Sequence, residues 1–237
     1  MPLPRNNLYP DFNISRLSHI ELGVKDLEAS FAFYVETLGL QVTEKESDYI
    51  YLRGMEERGH HSVILKKSEE PTCNVLGYKV FDEEQLYKAE NYFNSKNIKT
   101  KWIERPFQGK TLLTHDIHGI PIEFYYQMDR LPTIHQKYKL YNGVKPLRID
   151  HFNVFSINVD ESVKFYSDLG FRVTEYTEDE KSKKLWAAWM HRKGTVHDIA
   201  FTNGVGPRLH HVAFWVPTPM NIIDLLDVMS TTGYIEN

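Results

Sequence analysis

The 237-residue chain has a single cysteine, Cys73. No disulfide can form within it, and a reducing, cytoplasmic setting is the expected home. Cys73 lies in EEPTCNVLGY, just ahead of an apolar run and far in sequence from any histidine, so it reads as an inert thiol. The opening MPLPRNNLYPDF holds no apolar run, so no signal peptide is expected. No stretch approaches the ~18 apolar residues of a bilayer span. An excess of one charge is also missing. Lys and Arg number 28, Asp and Glu 32, and the net charge is -4. That balance gives no footprint for nucleic acid or an anionic membrane. The densest basic run, KSKK at 181–184, directly follows TEDE and reads as a solvated turn. There is no G-x-G-x-x-G, P-loop, nucleophile elbow or CxxC. Dinucleotide, nucleotide, serine-hydrolase and thiol-redox chemistries lose their usual signatures.

Histidine, by contrast, is plentiful: the chain has 11. Four of them stand in three phrases with one rhythm: RLSHIELGV around His19, RIDHFNVF around His151, and LHHVAFWV around His210 and His211. The first two phrases begin longer copies of one unit. With one gap, His19 falls on His151, Ser30 on Ser162, Phe33-Tyr34 on Phe165-Tyr166, Leu38-Gly39 on Leu169-Gly170, and Val42-Thr43-Glu44 on Val173-Thr174-Glu175. So many matches in register mark an internal repeat.

Each copy reads as strand, helix and three strands. In the first, Asp26 is placed to cap a helix whose apolar stripe is Leu27, Phe31, Tyr34 and Leu38. Gly39 stands where a left-handed cap belongs. QVTEKE, DYIYLRG and HHSVILKK follow as short alternating strands. A second unit runs from the strand LGYKVF through the helix DEEQLYKAENYFNSK to KTKWIER, KTLLTHD and IPIEFYY. A fourth begins at LHHVAFWV, and Thr218-Pro219 opens its helix, MNIIDLLDVMST. The fold class is α+β, built of tandem βαβββ modules in two pairs. The polar, Pro- and Gly-bearing segment QMDRLPTIHQKYKLYNGVK links the pairs. It predicts a division near residue 135, into an N-terminal domain (1–135) without a working metal site and a C-terminal catalytic domain (136–237). The fourth module is incomplete, because its three closing strands do not appear before Asn237.

Alternation along strands picks out the candidate ligands. In HFNVF, Phe152 and Val154 share the core face and leave His151 with Asn153 on the other. In LHHVAFWV, Val212, Phe214 and Val216 form the apolar row, so His211 faces the concave side and His210 is buried or at the rim. His151 and His211 hold equivalent places in paired modules. Two neutral imidazoles facing one cleft suit a divalent metal such as iron, zinc or manganese. The N-terminal half is a control. There His19 corresponds to His151, but Tyr78 stands in the place of His211, and Glu123 lies on the last strand. A tyrosine is a poor substitute ligand, so His19 reads as a polar core residue and Glu123 as a paired or capping carboxylate. The control also locates a carboxylate that would complete a two-histidine, one-carboxylate iron site. Glu123 follows Tyr78 by 45 positions, and the same offset from His211 falls beyond Asn237. The third ligand, a Glu, is therefore expected past the last residue, and the chain is expected to be a C-terminal truncation or an excerpt.

RIDHFNVF, AAWMHRKGTVHDIAF and GPRLHHVAF, set in paired βαβββ modules, resemble the extradiol catechol dioxygenases of the vicinal-oxygen-chelate superfamily over nearly the whole chain. The resemblance implies Fe(II), or Mn(II) in some members, on His151 and His211. It implies that His197 is the acid–base residue and that Trp189 and Asn153 line the pocket. It implies meta cleavage of a catechol by O2, with 3,4-dihydroxyphenylacetate as substrate and a muconic semialdehyde as product, in aromatic catabolism. It also implies a homo-oligomer, such as a tetramer, with no nucleic acid or membrane partner. Read without the resemblance, His197 is as readily an ordinary strand histidine and Trp189 a core residue. Two other functions fit the same fold: a glyoxalase-like metal isomerase or lyase, and a metal-free module that binds an aromatic ligand.

Overall fold

A computed structural model describes residues 3–234. The first module comprises β1 (Ile14–Val24), a helix α1 (Leu27–Phe31) that continues as a π-helix (Ala32–Thr37), and β2 (Gln41–Lys45), β3 (Tyr49–Arg53) and β4 (Val63–Lys67). The second comprises β5 (Thr72–Val80), α2 (Glu84–Ser95), β6 (Lys101–Arg105), β7 (Gly109–His115) and β8 (Pro121–Tyr125). A short 3-10 turn (Tyr138–Leu140) lies in the linker. The third module is β9 (Arg148–Ser156), α3 (Val159–Asp168), β10 (Arg172–Glu178), β11 (Leu185–His191) and β12 (Ile199–Asn203). β13 (Arg208–Trp215) and α4 (Pro219–Thr232) begin the fourth. The element order is the one the repeat predicts.

The hydrogen-bond ladder repeats as well. The three strands after each helix form an antiparallel run, and the last closes parallel on the strand that opened the module. β4 pairs with β1 (Ile20 opposite Val63), β8 with β5 (Leu76 opposite Ile122), and β12 with β9 (Ile199 opposite Phe152). β13 lies on the other side of β9, giving the order β10-β11-β12-β9-β13.

Local chemistry sets the helix ends. The Asp26 carboxylate accepts from the Glu28 and Ala29 amides, both at 2.9 Å, and Asn158 caps α3 through the Glu161 amide at 3.3 Å. Thr218 and Asn221 form the capping box of α4, with Pro219 in its first turn. Gly39 and Gly170, equivalent in the repeat, both take the left-handed conformation, at φ 90° and 84°. The first helix departs from the simple α stripe. Its second half is π-helical, with the Leu38 amide bonded to the Phe33 carbonyl at 2.9 Å. The cause is the single gap in the repeat: module one has one residue more than module three between Tyr34 and Leu38-Gly39. A π-turn absorbs one extra residue while keeping the apolar stripe and the glycine cap in place.

The described chain groups into two compact units, each discontinuous in sequence. One holds residues through Ser18, Val75–Met128 and Asp150–Ala213; the other holds His19–Asn74, Asp129–Ile149 and the residues from Phe214 on. This grouping places residues of module two with residues of module three, while the strands of modules one and two share one sheet, β2-β3-β4-β1-β5-β8-β7-β6, and β9–β13 form another. An aromatic cluster ties module two to module three. Tyr78 stacks on Phe124 (6.0 Å) and meets Phe152 (6.2 Å) and Phe171 (5.8 Å) edge-on, and Tyr166 packs on Phe171 (5.3 Å) and Phe201 (4.9 Å). Such tilted and edge-on pairs add to the burial of large apolar area.

Candidate metal centre

The site is built on β9 and β13. Phe152 and Val154 are buried in the core, and His151 and Asn153 stand on the opposite face of β9, as alternation requires. His151 and His211 meet: their Nε2 atoms are 3.2 Å apart and their rings 5.3 Å apart at 74°. The Nδ1 of His151 lies 2.9 Å from the Asp150 carboxylate. Burial pushes that carboxyl up, but the His151 hydrogen bond and the Lys193 charge outweigh it and hold Asp150 below the ordinary carboxylate range. Ionised, Asp150 accepts from Nδ1 of His151, which leaves a lone pair on Nε2 facing His211.

On the far side, Nδ1 of His211 lies 2.8 Å from Nδ1 of His210. His210 is exposed and rests its ring against Phe155 at 4.6 Å, so it sits at the rim rather than in the core. Burial, followed by the neighbouring His151, His210 and His197, lowers the pKa of His211 to about 4. His211 is therefore neutral at neutral pH, the form in which an imidazole binds a metal.

His197, just before β12, joins the pair. Its ring lies 4.1 Å from that of His151. Both of its ring nitrogens are buried, with no hydrogen-bond partner among the described residues. Burial, then the neighbouring His151, lowers its pKa. A buried imidazole with two unused nitrogens is a costly feature, of the kind kept where a ligand or a reaction uses it. Asn153 and Trp189 stand in one cross-strand row through Ala200, two residues along β9 from His151 and on its face. Asn153 accepts a hydrogen bond from Thr202 at 3.1 Å.

Among the described residues, one group of three potential ligands converges within 4.8 Å: Asp150, His151 and His197. A cation bound inside that trio would have to break the Asp150–His151 hydrogen bond. The Nε2 pair of His151 and His211 needs no such loss. Two nitrogens each ~2.1 Å from one cation, at about a right angle, stand ~3 Å apart, close to the observed 3.2 Å. Asp150 then acts as the carboxylate that orients a metal-binding histidine through its other nitrogen. Sequence reading passed over that role, although the Asp sits directly before His151 in RIDHF.

In the N-terminal half the corresponding residues are buried. His19 is fully buried, edge-on to His61 at 5.2 Å. Tyr78 is taken up by the aromatic core. Glu123 is fully buried and paired with Arg105 (2.7 Å), and it accepts from Gln108 (2.9 Å). A buried pair of adjacent histidines, His60 and His61, went unnoticed inside the strand phrase HHSVILKK; their Nδ1 atoms are 3.2 Å apart.

Comparison with known proteins agrees with this architecture. The model of the Glyoxalase/Bleomycin resistance protein/Dioxygenase superfamily matches residues 16–101 and 148–236, spans that begin at the opening strands of modules one and three. A substrate complex of homoprotocatechuate 2,3-dioxygenase from Brevibacterium fuscum superposes with a TM-score of 0.90 at 38% identity, covering 98% of this chain and 73% of that one. The enzyme of the same name from Arthrobacter globiformis gives 0.90 at 36% over the same shares. The metapyrocatechase of Geobacillus stearothermophilus is 28% identical over 246 residues, covering 98% of this chain and 75% of the relative. A manganese-dependent 2,3-dihydroxybiphenyl 1,2-dioxygenase from Geobacillus genomosp. 3 is 26% identical over 231 residues, covering 91% and 73%. The chain spans about three quarters of these relatives' lengths. No described helix is long and apolar enough to cross a membrane. With its modules, its ladders and its paired histidines, this chain belongs to the Glyoxalase/Bleomycin resistance protein/Dioxygenase superfamily.

Proposed function

We propose that this chain carries the ring-opening site of an extradiol catechol dioxygenase and acts on 3,4-dihydroxyphenylacetate. The observation that carries the reading is the 3.2 Å approach of two imidazole Nε2 atoms, with a third imidazole beside them that has no hydrogen-bond partner among the described residues. Similarity to the homoprotocatechuate dioxygenases supports the substrate. His151 and His211 hold the metal, Fe(II) or Mn(II); imidazole nitrogens suit either ion. When bound, such a metal acidifies the catechol hydroxyls and brings substrate and O2 together.

The chain's own residues do the rest. Asp150 fixes the tautomer of His151. His197, neutral at working pH, takes a proton from a catechol hydroxyl and returns it as the ring opens. Asn153 and Trp189 line the same face, an amide to hydrogen-bond and an aromatic wall to exclude water. Domain roles follow: the third module and β13 supply the site, and the N-terminal modules supply none of it. Assembly as a homo-oligomer, a tetramer, belongs to the same reading, and light scattering tests it.

The test is anaerobic titration with Fe(II), then addition of 3,4-dihydroxyphenylacetate and air. Iron held through His151 and His211 is expected, with O2 uptake and a yellow ring-opened product once a carboxylate completes the ligand set. Removing either His151 or His211 (to Ala) should abolish iron binding. Changing His197→Gln should keep the iron and cut turnover by ~10²-fold or more. Iron uptake that survives both alanine substitutions would sink the assignment.

A further inference from the structure

The turn between β11 and β12 brings His197 to the site, and its polar contacts are unusually complete. Asp198, fully buried, accepts four hydrogen bonds. Its Oδ2 takes the amides of Arg192 (2.6 Å) and Lys193 (3.0 Å). Its Oδ1 takes the amide of Leu17 (2.9 Å) and the ammonium of Lys193 (3.3 Å). The Lys193 ammonium, largely buried, also donates to two backbone carbonyls, those of Asp150 and of His197 (2.8 Å). An ammonium has three protons, and here each has an acceptor. Arg192 anchors the same turn through the carbonyls of Ile14 (2.8 Å) and Gly170 (2.9 Å).

Stability alone is a weak reason for such an arrangement. A buried ion pair is often no better than apolar residues of the same volume, so its value lies in what it positions. One of the two carbonyls it gathers lies on β9 and the other in the turn before β12. One precedes His151 directly, and the other is that of His197 itself.

We propose that Lys193, seated on Asp198, is a positioning residue: its ammonium ties the backbone at Asp150 to the backbone at His197 and so fixes the His197 ring beside His151. The functional meaning of that distance rests on the ring-opening reading given above. The clamp itself is a property of the chain without any metal. A lysine suits the task because one compact charge reaches three acceptors in different directions. An arginine, whose donors lie in a plane, would reach only some of them.

The test uses the full metal-free chain and reads His197 directly. Diethyl pyrocarbonate acylates neutral imidazoles, and peptide mapping reports each site. Lys193→Met should speed acylation of His197, and amide exchange across 193–199, by about tenfold per charged hydrogen bond lost. His115 and His118, elsewhere in the same unit, should keep their rates. Lys193→Arg should restore part of the protection. If Lys193→Met fails to fold because Asp198 is left uncompensated, the double variant Lys193→Met, Asp198→Asn removes both charges and carries the test. Where metal and catechol are turned over, the folded variant should lose kcat about tenfold with KM and metal content held. Unchanged acylation and exchange in a folded variant would overturn the clamp, and so would an equal rise at every histidine. Failure of the unsubstituted chain to bind metal would instead overturn the ring-opening reading, and the acylation result would still decide the clamp.

Discussion

At the scale of single residues, the site is set by which histidines can refuse a proton. His211 titrates near 4 when folded, against an ordinary value of 6.5, and His197 is shifted the same way, in both cases chiefly by burial. The consequence has a sign. Between pH 6.5 and about 4 the unfolded chain takes up a proton on His211 that the folded chain does not. Falling pH therefore favours unfolding across that window, and the penalty levels off below it. The thermal midpoint of the metal-free chain should drop between pH 7 and pH 4.5, and the drop should be smaller in a His211→Asn variant. An identical slope in both would remove His211 from the account. Alternation made His151, Asn153 and His211 legible in the sequence, because a strand's period is fixed by its backbone. Asp150 and Lys193 were not legible in the same way. Their partners are carbonyls and rings brought close by the turn before β12, and no local spacing encodes that approach.

At the scale of elements, the repeat gave nearly every boundary, since strand alternation, caps and glycines are local signals. Its one gap was visible too, but not its outcome as a π-turn. That outcome depends on carbonyls at the helix end finding other donors: Val35 accepts from the Asn142 side chain (3.0 Å) and Leu38 from the Val144 amide (3.0 Å), more than a hundred residues away. The glycine that ends this helix is held from both sides. A Cβ on Gly39 would lie 2.0 Å from the Asn142 carbonyl oxygen, in a residue already at φ 90°. Gly119, at φ 93°, has nothing within 4 Å of the same position. Chemical denaturation should therefore separate the two alanine variants. Gly119→Ala should cost about 1 kcal/mol, the left-handed penalty alone. Gly39→Ala should cost more than ~2 kcal/mol, because backbone must move as well. In the second module, Arg105 on β6 and Glu123 on β8 reach each other across β7. Arg105→Leu strands a fully buried carboxylate and should cost ~3–5 kcal/mol, whereas Arg105→Leu with Glu123→Leu should cost far less. Equal losses in the single and double variants would mean that the pair is not what stabilises Glu123.

At the scale of the whole molecule, periodicity specifies the module but not its neighbour. Each module presents an apolar helix stripe and a sheet face of similar make, so sequence order favours pairing one with two and three with four. The strand order keeps both pairs, β2-β3-β4-β1-β5-β8-β7-β6 and β10-β11-β12-β9-β13, and the aromatic cluster around Tyr78 ties module two to module three within one unit, through the residue that occupies the ligand position in the control half. Tyr78 at that position thus adds to a core. The remaining pair, His151 and His211, is then where metal binding should register in the stability of the entire chain. A ligand that binds only the folded state stabilises it by about 2.7 kcal/mol at a hundred times its Kd. For a chain of this length that is ~5–10 °C in thermal midpoint, at ~2–4 °C per kcal/mol. Anaerobic Fe(II) or Mn(II) should produce such a shift in the unsubstituted chain, and none in His151→Ala or His211→Ala. His197→Gln should keep it, since that ring stands beside the metal ligands without being one. A shift that His197→Gln abolishes and His211→Ala retains would instead assign the metal to the Asp150, His151 and His197 trio, with the Asp150 hydrogen bond given up to reach it.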